Sequence, residues 1–355
     1  MKTLSLLSAV VCLSLCACQP PPPPPPPPPS FTEAITYRDL AAHPGCTTAG
    51  LSYSAASDTG YSCAAKEYAF PGGVSEDASK PIVLLFHGNS STPADFETYA
   101  GDANRTPMLA ERLVANGFRT FAVDFRTDRV DDPASNNTTE NAARNFDHGW
   151  ATPIASAFID AMMKQFPDRR FSMVGFSLGT TIIRDATRRL TADGKMDWSR
   201  IQDMVLAAGA NHGVSTYRAL CGTNATMRGQ VACQLGDRTA YAPTDFLAND
   251  NGEAGAWETP CADGETAFGV GGEGGQCSGH RVQYTTIVMR DISQGTYQDE
   301  FVSEASARLE GADNQLIETT EPDQTGYFYA PAFSDHFGSI RSEHALQIAM
   351  GALSN

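Results

Sequence analysis

The most constraining feature of this sequence is the segment 170–179. A short apolar run there leads into Gly-x-Ser-x-Gly, and a helix-compatible run from Thr180 to Leu190 follows. A serine at a sharp strand-to-helix turn has an exposed hydroxyl, and flanking glycines let the backbone turn without Cβ clashes. A serine hydroxyl is a useful nucleophile only when a base takes its proton. The segment therefore predicts Ser177 as a nucleophile that needs partners elsewhere in the chain.

Strand-like and helix-like segments alternate around Ser177. A continuous apolar run typical of a buried parallel strand lies at 82–86, and further strand patterns lie at 118–125, 203–210, 282–289 and 315–319. Helical patterns lie at 108–116, from 138 to about 166, at 301–309 and at 339–353. Gly117 is expected to stop the first of these helices, and Phe158, Met162 and Phe166 are expected to form a core-facing stripe on the second. This alternation predicts an α/β fold, a mostly parallel doubly wound sheet with helices on both faces. Ligands of such sheets bind at the carboxyl ends of the strands.

Residues 1–18 have the composition of a targeting segment. The apolar stretch 4–15 is too short to span a bilayer. It ends in the sequence LCAC, which resembles a bacterial lipobox, and this implies that Cys18 is lipidated and becomes the mature N-terminus. Gln19 in the next position implies transfer to an outer membrane. The alternative is a plain secretory leader cut near Ala17.

An unbroken run of ten prolines, Pro20–Pro29, follows the leader. Such a run adopts polyproline II, at about 3.1 Å per residue and so roughly 31 Å long. We expect residues 19–30 to form a stiff stalk that lifts the domain 31–355 off a membrane. A docking site for a proline-binding domain is the weaker interpretation, since such domains are mostly intracellular.

The formal net charge is −16. A surface with this much negative charge repels nucleic acid and anionic membranes. A nucleic-acid partner is therefore not expected.

Six cysteines remain once the leader is set aside, and an even number in an exported chain suggests disulfides. They are Cys46, Cys63, Cys221, Cys233, Cys261 and Cys277. Pairing between sequence neighbours (46–63, 221–233, 261–277) is expected, because each pair flanks a short loop-rich segment. Metal binding by these cysteines is the weaker interpretation, since no spacing is of the C-x-x-C type.

The strand before His87-Gly88-Asn89, the strand–GFSLG–helix segment and the downstream Asp and His together resemble the α/β-hydrolase fold. Within that fold the likeness is to bacterial class 2-like lipases and esterases, over roughly residues 80–350. It implies the chain order nucleophile, acid, base. It also implies that the backbone N–H groups of Asn89 and Leu178 form an oxyanion hole, and that His87 shapes its loop.

The resemblance assigns the base to His336, in the segment 332–338, which is expected to be a loop just before the last helix. His344 falls inside that helix and is expected at the surface. His212 lies in Asn-His-Gly, which resembles a structural turn of these lipases.

The acid has more than one candidate. Asp299, followed by Val302, resembles the family's Asp-x-x-Val and is preferred. Asp291 is closer to the end of the strand at 282–289, and Glu300 is the third choice.

No cofactor motif or metal cluster is found in the sequence. Asp128, Asp131 and Asp132 could bind calcium, but a charged solvated loop is the favoured interpretation. The glycine-rich run 269–275 precedes no helix and lacks the lysine of a phosphate-binding loop.

Residues 214–281 join two strands and are far longer than an ordinary connection. We expect a disulfide-braced insert that caps Ser177. Phe246, Leu247 and Trp257 would supply an apolar wall for an acyl chain, or else a small core of the insert itself.

Together these expectations describe an exported, lipid-anchored carboxylic ester hydrolase of the lipase or esterase kind, with a Ser177, Asp299 and His336 triad. One alternative is an extracellular polyester depolymerase of the polyhydroxyalkanoate type, which would use the same chemistry. The other is a non-catalytic surface lipoprotein that uses the fold as a binding module.

Overall fold

The structure is a computed structural model in which one eight-stranded sheet is covered by helices on both faces. It describes residues 37–40, 64–89, 91–99, 101–102, 104, 106–124, 151–214, 235, 282–292, 299–309, 311–320 and 329–354.

The strands are β1 (Tyr37–Leu40), β2 (Ala64–Tyr68), β3 (Ile82–Phe86), β4 (Thr120–Asp124), β5 (Phe171–Phe176), β6 (Ile201–Ala207), β7 (Gln283–Asp291) and β8 (Asp313–Thr319). The helices are α1 (Leu109–Ala115), α2 (Ala151–Gln165), α3 (Leu178–Ala192), α4 (Glu304–Ala307), α5 (Ser334–Arg341) and α6 (Glu343–Leu353). Short 3-10 helices lie at Pro93–Phe96, Trp198–Arg200 and Pro331–Phe333.

The strand order in the sheet is β1-β2-β4-β3-β5-β6-β7-β8. Strand β2 is antiparallel to both of its neighbours, and the pairs from β4 to β8 are parallel. Consecutive parallel strands run outward from β3 in two directions, so β3 and β5 flank the topological switch point where ligands bind. With the strand-to-helix turn at Ser177, this topology confirms the predicted α/β-hydrolase fold.

Two apolar clusters cover the two faces of the sheet. In β3, Ile82, Leu84 and Phe86 belong to one cluster and Val83 and Leu85 to the other, as the alternation of side chains along a strand requires. Helices α2 and α3 contribute to the first cluster, and α1, α5 and α6 contribute to the second. Because both faces are buried, β3 is apolar throughout, as expected for a central parallel strand.

Several sequence-based boundaries are confirmed. Helix α1 ends before Gly117, which takes a φ of 80° and so supplies the predicted left-handed stop. Phe158 and Met162 of α2 are fully buried, as expected for a core-facing stripe, and Phe166 packs partly buried against the same cluster.

Two predicted helices in the C-terminal third have the wrong bounds. The single helix predicted at 339–353 is two helices, which are separated at Ser342, a residue with extended backbone that caps α6 by accepting from Ala345 N–H. The helix predicted at 301–309 is only the four residues of α4. It begins only after Ser303, which has extended backbone and caps α4 by accepting from Ser306 N–H.

Strand β1 was not predicted, and it pairs antiparallel with β2 at one edge of the sheet. Strand β2 lies within the alternating run 61–70 of the sequence. No helix in the described ranges has both the length and the hydropathy needed to span a membrane.

Candidate active site

Ser177 lies at the sharp turn between β5 and α3. Its φ is 53° and its ψ is −120°, a conformation that few side-chain-bearing residues adopt. The Ser177 N–H donates to Ala207 O of β6 at 2.8 Å, so the neighbouring strand holds the strained residue in place. The predicted strand-to-helix turn is therefore present.

The two glycines of the motif are required by close packing. A Cβ on Gly179 would lie 2.2 Å from Phe86 O, and one on Gly175 would lie 2.8 Å from Thr180 N. The positive φ belongs to Ser177 itself. Gly-x-Ser-x-Gly thus lets α3 start directly against β5 and β3.

His336 is the hydrogen-bond partner of Ser177. Its Nε2 lies 2.9 Å from Ser177 Oγ, and the side chain is buried between the rings of Phe176 and Phe301, with centroids 5.1 and 4.9 Å away. His336 was predicted to lie in a loop, and this is wrong, because it is the third residue of α5.

Asp299 is the second partner of the imidazole. Asp299 Oδ2 lies 2.8 Å from His336 Nδ1, and Asp299 is 2% exposed. Its other oxygen accepts the N–H groups of Phe301 at 2.7 Å and Val302 at 2.5 Å. With Nδ1 protonated, the imidazole donates to Asp299 and leaves Nε2 to accept the Ser177 hydroxyl.

The other candidate acids and bases have other partners. Asp291 is the last residue of β7, and its backbone N–H donates to Asp335 Oδ2 at 2.7 Å. His212 lies in a turn, and its backbone N–H donates to Ser306 O at 3.1 Å. His344 is exposed on α6. These positions agree with a structural turn at His212 and a surface position for His344.

Glu300 has a role that the sequence did not indicate. Its carboxylate accepts the backbone N–H of Asp335 at 3.1 Å and of His336 at 2.8 Å, in the first turn of α5. These N–H groups have no acceptor within a helix, so Glu300 caps the helix that carries His336. The cap explains why α5 begins before His336, where the local sequence resembles a loop.

The electrostatics of the site favour a protonatable His336. Burial disfavours the charged imidazolium, but the Asp299 charge and hydrogen bond, with the charges of Glu300 and Asp95, outweigh burial and raise the pKa of His336 above its ordinary 6.5. An imidazole whose charged form is stabilised in this way is suited to accept a proton from Ser177.

A pocket opens beside Ser177 and His336. The residues that line it are Asn89, Ser177, Leu178, Ala210, Val214, Leu235, Phe301, Val302 and His336. It therefore contains both residues whose N–H groups were predicted to form an oxyanion hole. The N-terminus of the 15-residue helix α3 lies at the same point, and its dipole favours negative charge there.

Val214 and Leu235 are the two described residues of the stretch 214–281, and both line the pocket. Val214 N–H donates to Leu235 O at 2.6 Å. The remaining residues of the insert that was predicted to cover Ser177 lie outside the described part of the chain. So do Cys18, the proline run, the six cysteines of the expected disulfides, and Asp128, Asp131 and Asp132.

Among the residues that the structure describes, no group of three or more His, Cys, Asp or Glu side chains is arranged to hold a metal ion.

No protein-family model matches this chain, and no curated protein matches it. Solved structures do resemble it at low identity. The mature form of the Bacillus licheniformis lipase BlEst2 has a TM-score of 0.46 at 15% identity, covering 79% of this chain and 94% of that one. Aspergillus fumigatus lipase B has a TM-score of 0.45 at 15% identity, covering 81% of this chain and 56% of that one. The Bacillus subtilis carboxylesterase CesB has a TM-score of 0.37 at 14% identity, covering 91% and 92%. Since each TM-score is below 0.5, the fold assignment depends on the strand order and on the turn at Ser177.

Proposed function

We propose that this protein is a serine hydrolase that cleaves carboxylic esters through an acyl-enzyme. The observation that carries the proposal is the unbroken chain of two short hydrogen bonds, from Ser177 Oγ to His336 Nε2 and from His336 Nδ1 to Asp299 Oδ2. The nucleophile, base and orienting acid are thus joined by direct hydrogen bonds.

In the first half of the reaction, Ser177 Oγ attacks the ester carbonyl carbon while His336 Nε2 takes the hydroxyl proton. The carbonyl oxygen becomes an oxyanion, which the N–H groups of Leu178 and Asn89 stabilise at the N-terminus of α3. One such donor is worth about 2.7–4 kcal/mol in the transition state. The tetrahedral intermediate then collapses, and His336 returns the proton to the departing alcohol.

In the second half, His336 takes a proton from water, which attacks the acyl carbon. The bond from that carbon to Ser177 Oγ then breaks, His336 returns the proton to Oγ, and the carboxylic acid is released. Asp299 stabilises the imidazolium formed in each half and holds its tautomer. Val214, Leu235 and Phe301 form an apolar wall at the pocket, which suits the acyl side of an ester.

A binding module does not need this arrangement. Holding Ser177 at a positive φ and burying a carboxylate beside an imidazole both cost free energy. A surface lipoprotein that only binds a partner would gain nothing from these costs.

The test is hydrolysis of p-nitrophenyl esters of graded chain length by the purified protein. We expect measurable turnover that Ser177→Ala abolishes while the thermal unfolding curve stays unchanged. Release of soluble oligomers from polyester granules would assign the protein to depolymerases. Turnover retained in Ser177→Ala would overturn the proposal.

We further propose that lipidation of Cys18 anchors the enzyme at the cell envelope, and that residues 19–30 act as a stalk. Two or more acyl chains are needed for stable anchoring. Labelling with a fatty-acid analogue should mark the wild-type protein, and Cys18→Ser should be unlabelled and recovered in soluble form.

A further inference from the structure

A second buried carboxylate lies close to the site but outside the triad. Asp95 is 0% exposed and belongs to the 3-10 helix Pro93–Phe96. Its side chain accepts hydrogen bonds from Gly88 N–H at 2.9 Å, Ser91 Oγ at 2.5 Å and Tyr329 OH at 3.2 Å. Two of these three donors belong to the loop that follows β3, so Asp95 fixes the conformation of that loop.

The loop lies directly against the nucleophile. A Cβ on Gly88 would lie 3.1 Å from the Phe176 ring and 3.3 Å from Ser177 Cβ. The next residue, Asn89, lines the pocket. Because Gly88 N–H is held by Asp95, the position of the following peptide unit, which includes Asn89 N–H, depends on this carboxylate.

Arg341 connects the same region to the base. It is the last residue of α5, five positions after His336, and is 1% exposed. Its guanidinium donates to the carbonyl oxygens of Asp95 at 2.8 Å and Glu97 at 3.0 Å and stacks on Tyr329, 4.0 Å from the ring centroid. The helix of the base and the anchor of the loop are therefore joined by one buried polar network.

We propose that Asp95 is a positioning residue for ester hydrolysis. It holds the loop of Gly88 and Asn89 in the geometry that the oxyanion requires, and the contacts of Tyr329 and Arg341 keep that loop in register with His336. The inference rests on the proposed function. A fully buried carboxylate is costly to keep, and burial raises the pKa of Asp95, so its three donors are needed to hold it there.

The test compares Asp95→Ala with Asp95→Asn, whose amide oxygen can still accept from Gly88. Asp95→Ala should lower kcat about 100-fold with KM within about threefold, because only a transition-state contact is lost. Binding of a trifluoromethyl ketone, which forms an oxyanion on Ser177, should weaken in proportion. Asp95→Asn should recover kcat to within about tenfold of wild type.

Asp203→Ala is the matched control, because it removes a buried carboxylate from β6 that accepts from Ser172 at the opposite end of β5. Its kcat should equal that of wild type. A folded Asp95→Ala with kcat within threefold of wild type would overturn the inference.

If Asp95→Ala does not fold, Tyr329→Phe decides the question. It removes one donor and leaves the bond to Gly88, so we expect kcat to fall roughly threefold to tenfold at constant KM. Unchanged kcat would count against the network.

A readout without turnover separates this inference from the proposed function. Amide hydrogen exchange of Gly88 should speed up at least tenfold in Asp95→Ala, less in Asp95→Asn, which keeps an acceptor for this N–H, and stay unchanged in Ser177→Ala. Unchanged exchange in Asp95→Ala would overturn the role of Asp95, whether or not the protein hydrolyses esters.

Discussion

Strand β5 has a serine near each end, and the two hydroxyls have different partners. Ser172, near the amino end, donates directly to Asp203 Oδ2 at 3.0 Å. Ser177, just beyond the carboxyl end, is hydrogen-bonded to His336, and His336 is in turn hydrogen-bonded to the Asp299 carboxylate. Both ends have a serine and a buried carboxylate, and only one has an imidazole between them.

The difference shows what makes a serine reactive. At the Ser172 end the hydroxyl donates directly to a carboxylate, and the serine is buried inside the sheet where an ester cannot reach it. An imidazole of pKa near neutrality can take the proton and return it. The backbone differs as well: Ser172 is fully buried within β5, whereas Ser177 is at a turn that opens to the pocket.

Removing each hydroxyl gives the largest contrast. Ser177→Ala should lower kcat by about 10⁴–10⁶, since nucleophile and base act as one unit. Ser172→Ala should leave kcat unchanged and lower the free energy of unfolding by about 1–3 kcal/mol, because the buried Asp203 carboxylate loses a donor. Ester hydrolysis and denaturant unfolding measure the two effects. Similar kcat losses in both variants would contradict the comparison.

The carboxylates differ in the same way. Asp299→Asn should lower kcat by about 10³–10⁴, because the amide favours the wrong imidazole tautomer. Asp203→Asn and Asp291→Asn should leave kcat within about twofold of wild type, because neither carboxylate is the hydrogen-bond partner of His336 Nδ1. A larger loss in Asp291→Asn than in Asp299→Asn would move the acid to Asp291.

A pH profile tests the charges around His336. The base must be unprotonated, so kcat/KM is lost as pH falls through the pKa of His336, and this midpoint should lie above 6.5. Glu300→Gln removes one of the charges that raise this pKa, so the midpoint should move to lower pH. Glu343→Gln is the control, because Glu343 lies in the first turn of α6 and pairs with Arg112. An unshifted midpoint in Glu300→Gln would show that its charge does not act on the base.

The smallest effect concerns stability at the Ser172 end. Burial raises the pKa of Asp203 to about 6, above its value of about 3.9 in an unfolded chain. Between these values the folded state holds a proton that the unfolded state has lost, so stability falls as pH rises through this window. Asp203→Asn should therefore be more stable relative to wild type at pH 7.5 than at pH 4. Thermal unfolding at both pH values checks this, and a constant difference in Tm would contradict it.

Local pattern was enough to predict the elements that follow from hydrophobic periodicity and turn chemistry. The elbow at Ser177 and the buried run of β3 depend on residues that are adjacent in sequence. Asp299 and His336 were predicted only from resemblance to a family. The contact between them spans 37 positions, and the contact of His336 with Ser177 spans 159.

The features that could not be predicted from the sequence depend on contacts between residues far apart in the chain. Helix α5 forms where a loop was predicted because Glu300, more than thirty positions upstream, accepts its first N–H groups. In the sequence, Asp95 looks like an ordinary acidic residue in the first turn of a short helix. Its hydrogen bond with Tyr329, 234 positions away, is formed only in the folded protein. Neither role has a local signal in the sequence.

The most direct test of the central claim is covalent labelling with a fluorophosphonate, followed by peptide mass spectrometry. The probe phosphonylates, with loss of fluoride, only a serine that has an activated hydroxyl and an oxyanion site. We predict one adduct, on Ser177, that is lost in His336→Ala while Ser172 stays unlabelled in every variant. Absence of an adduct from the folded wild-type protein, or an adduct on Ser177 that persists in His336→Ala, would contradict the account.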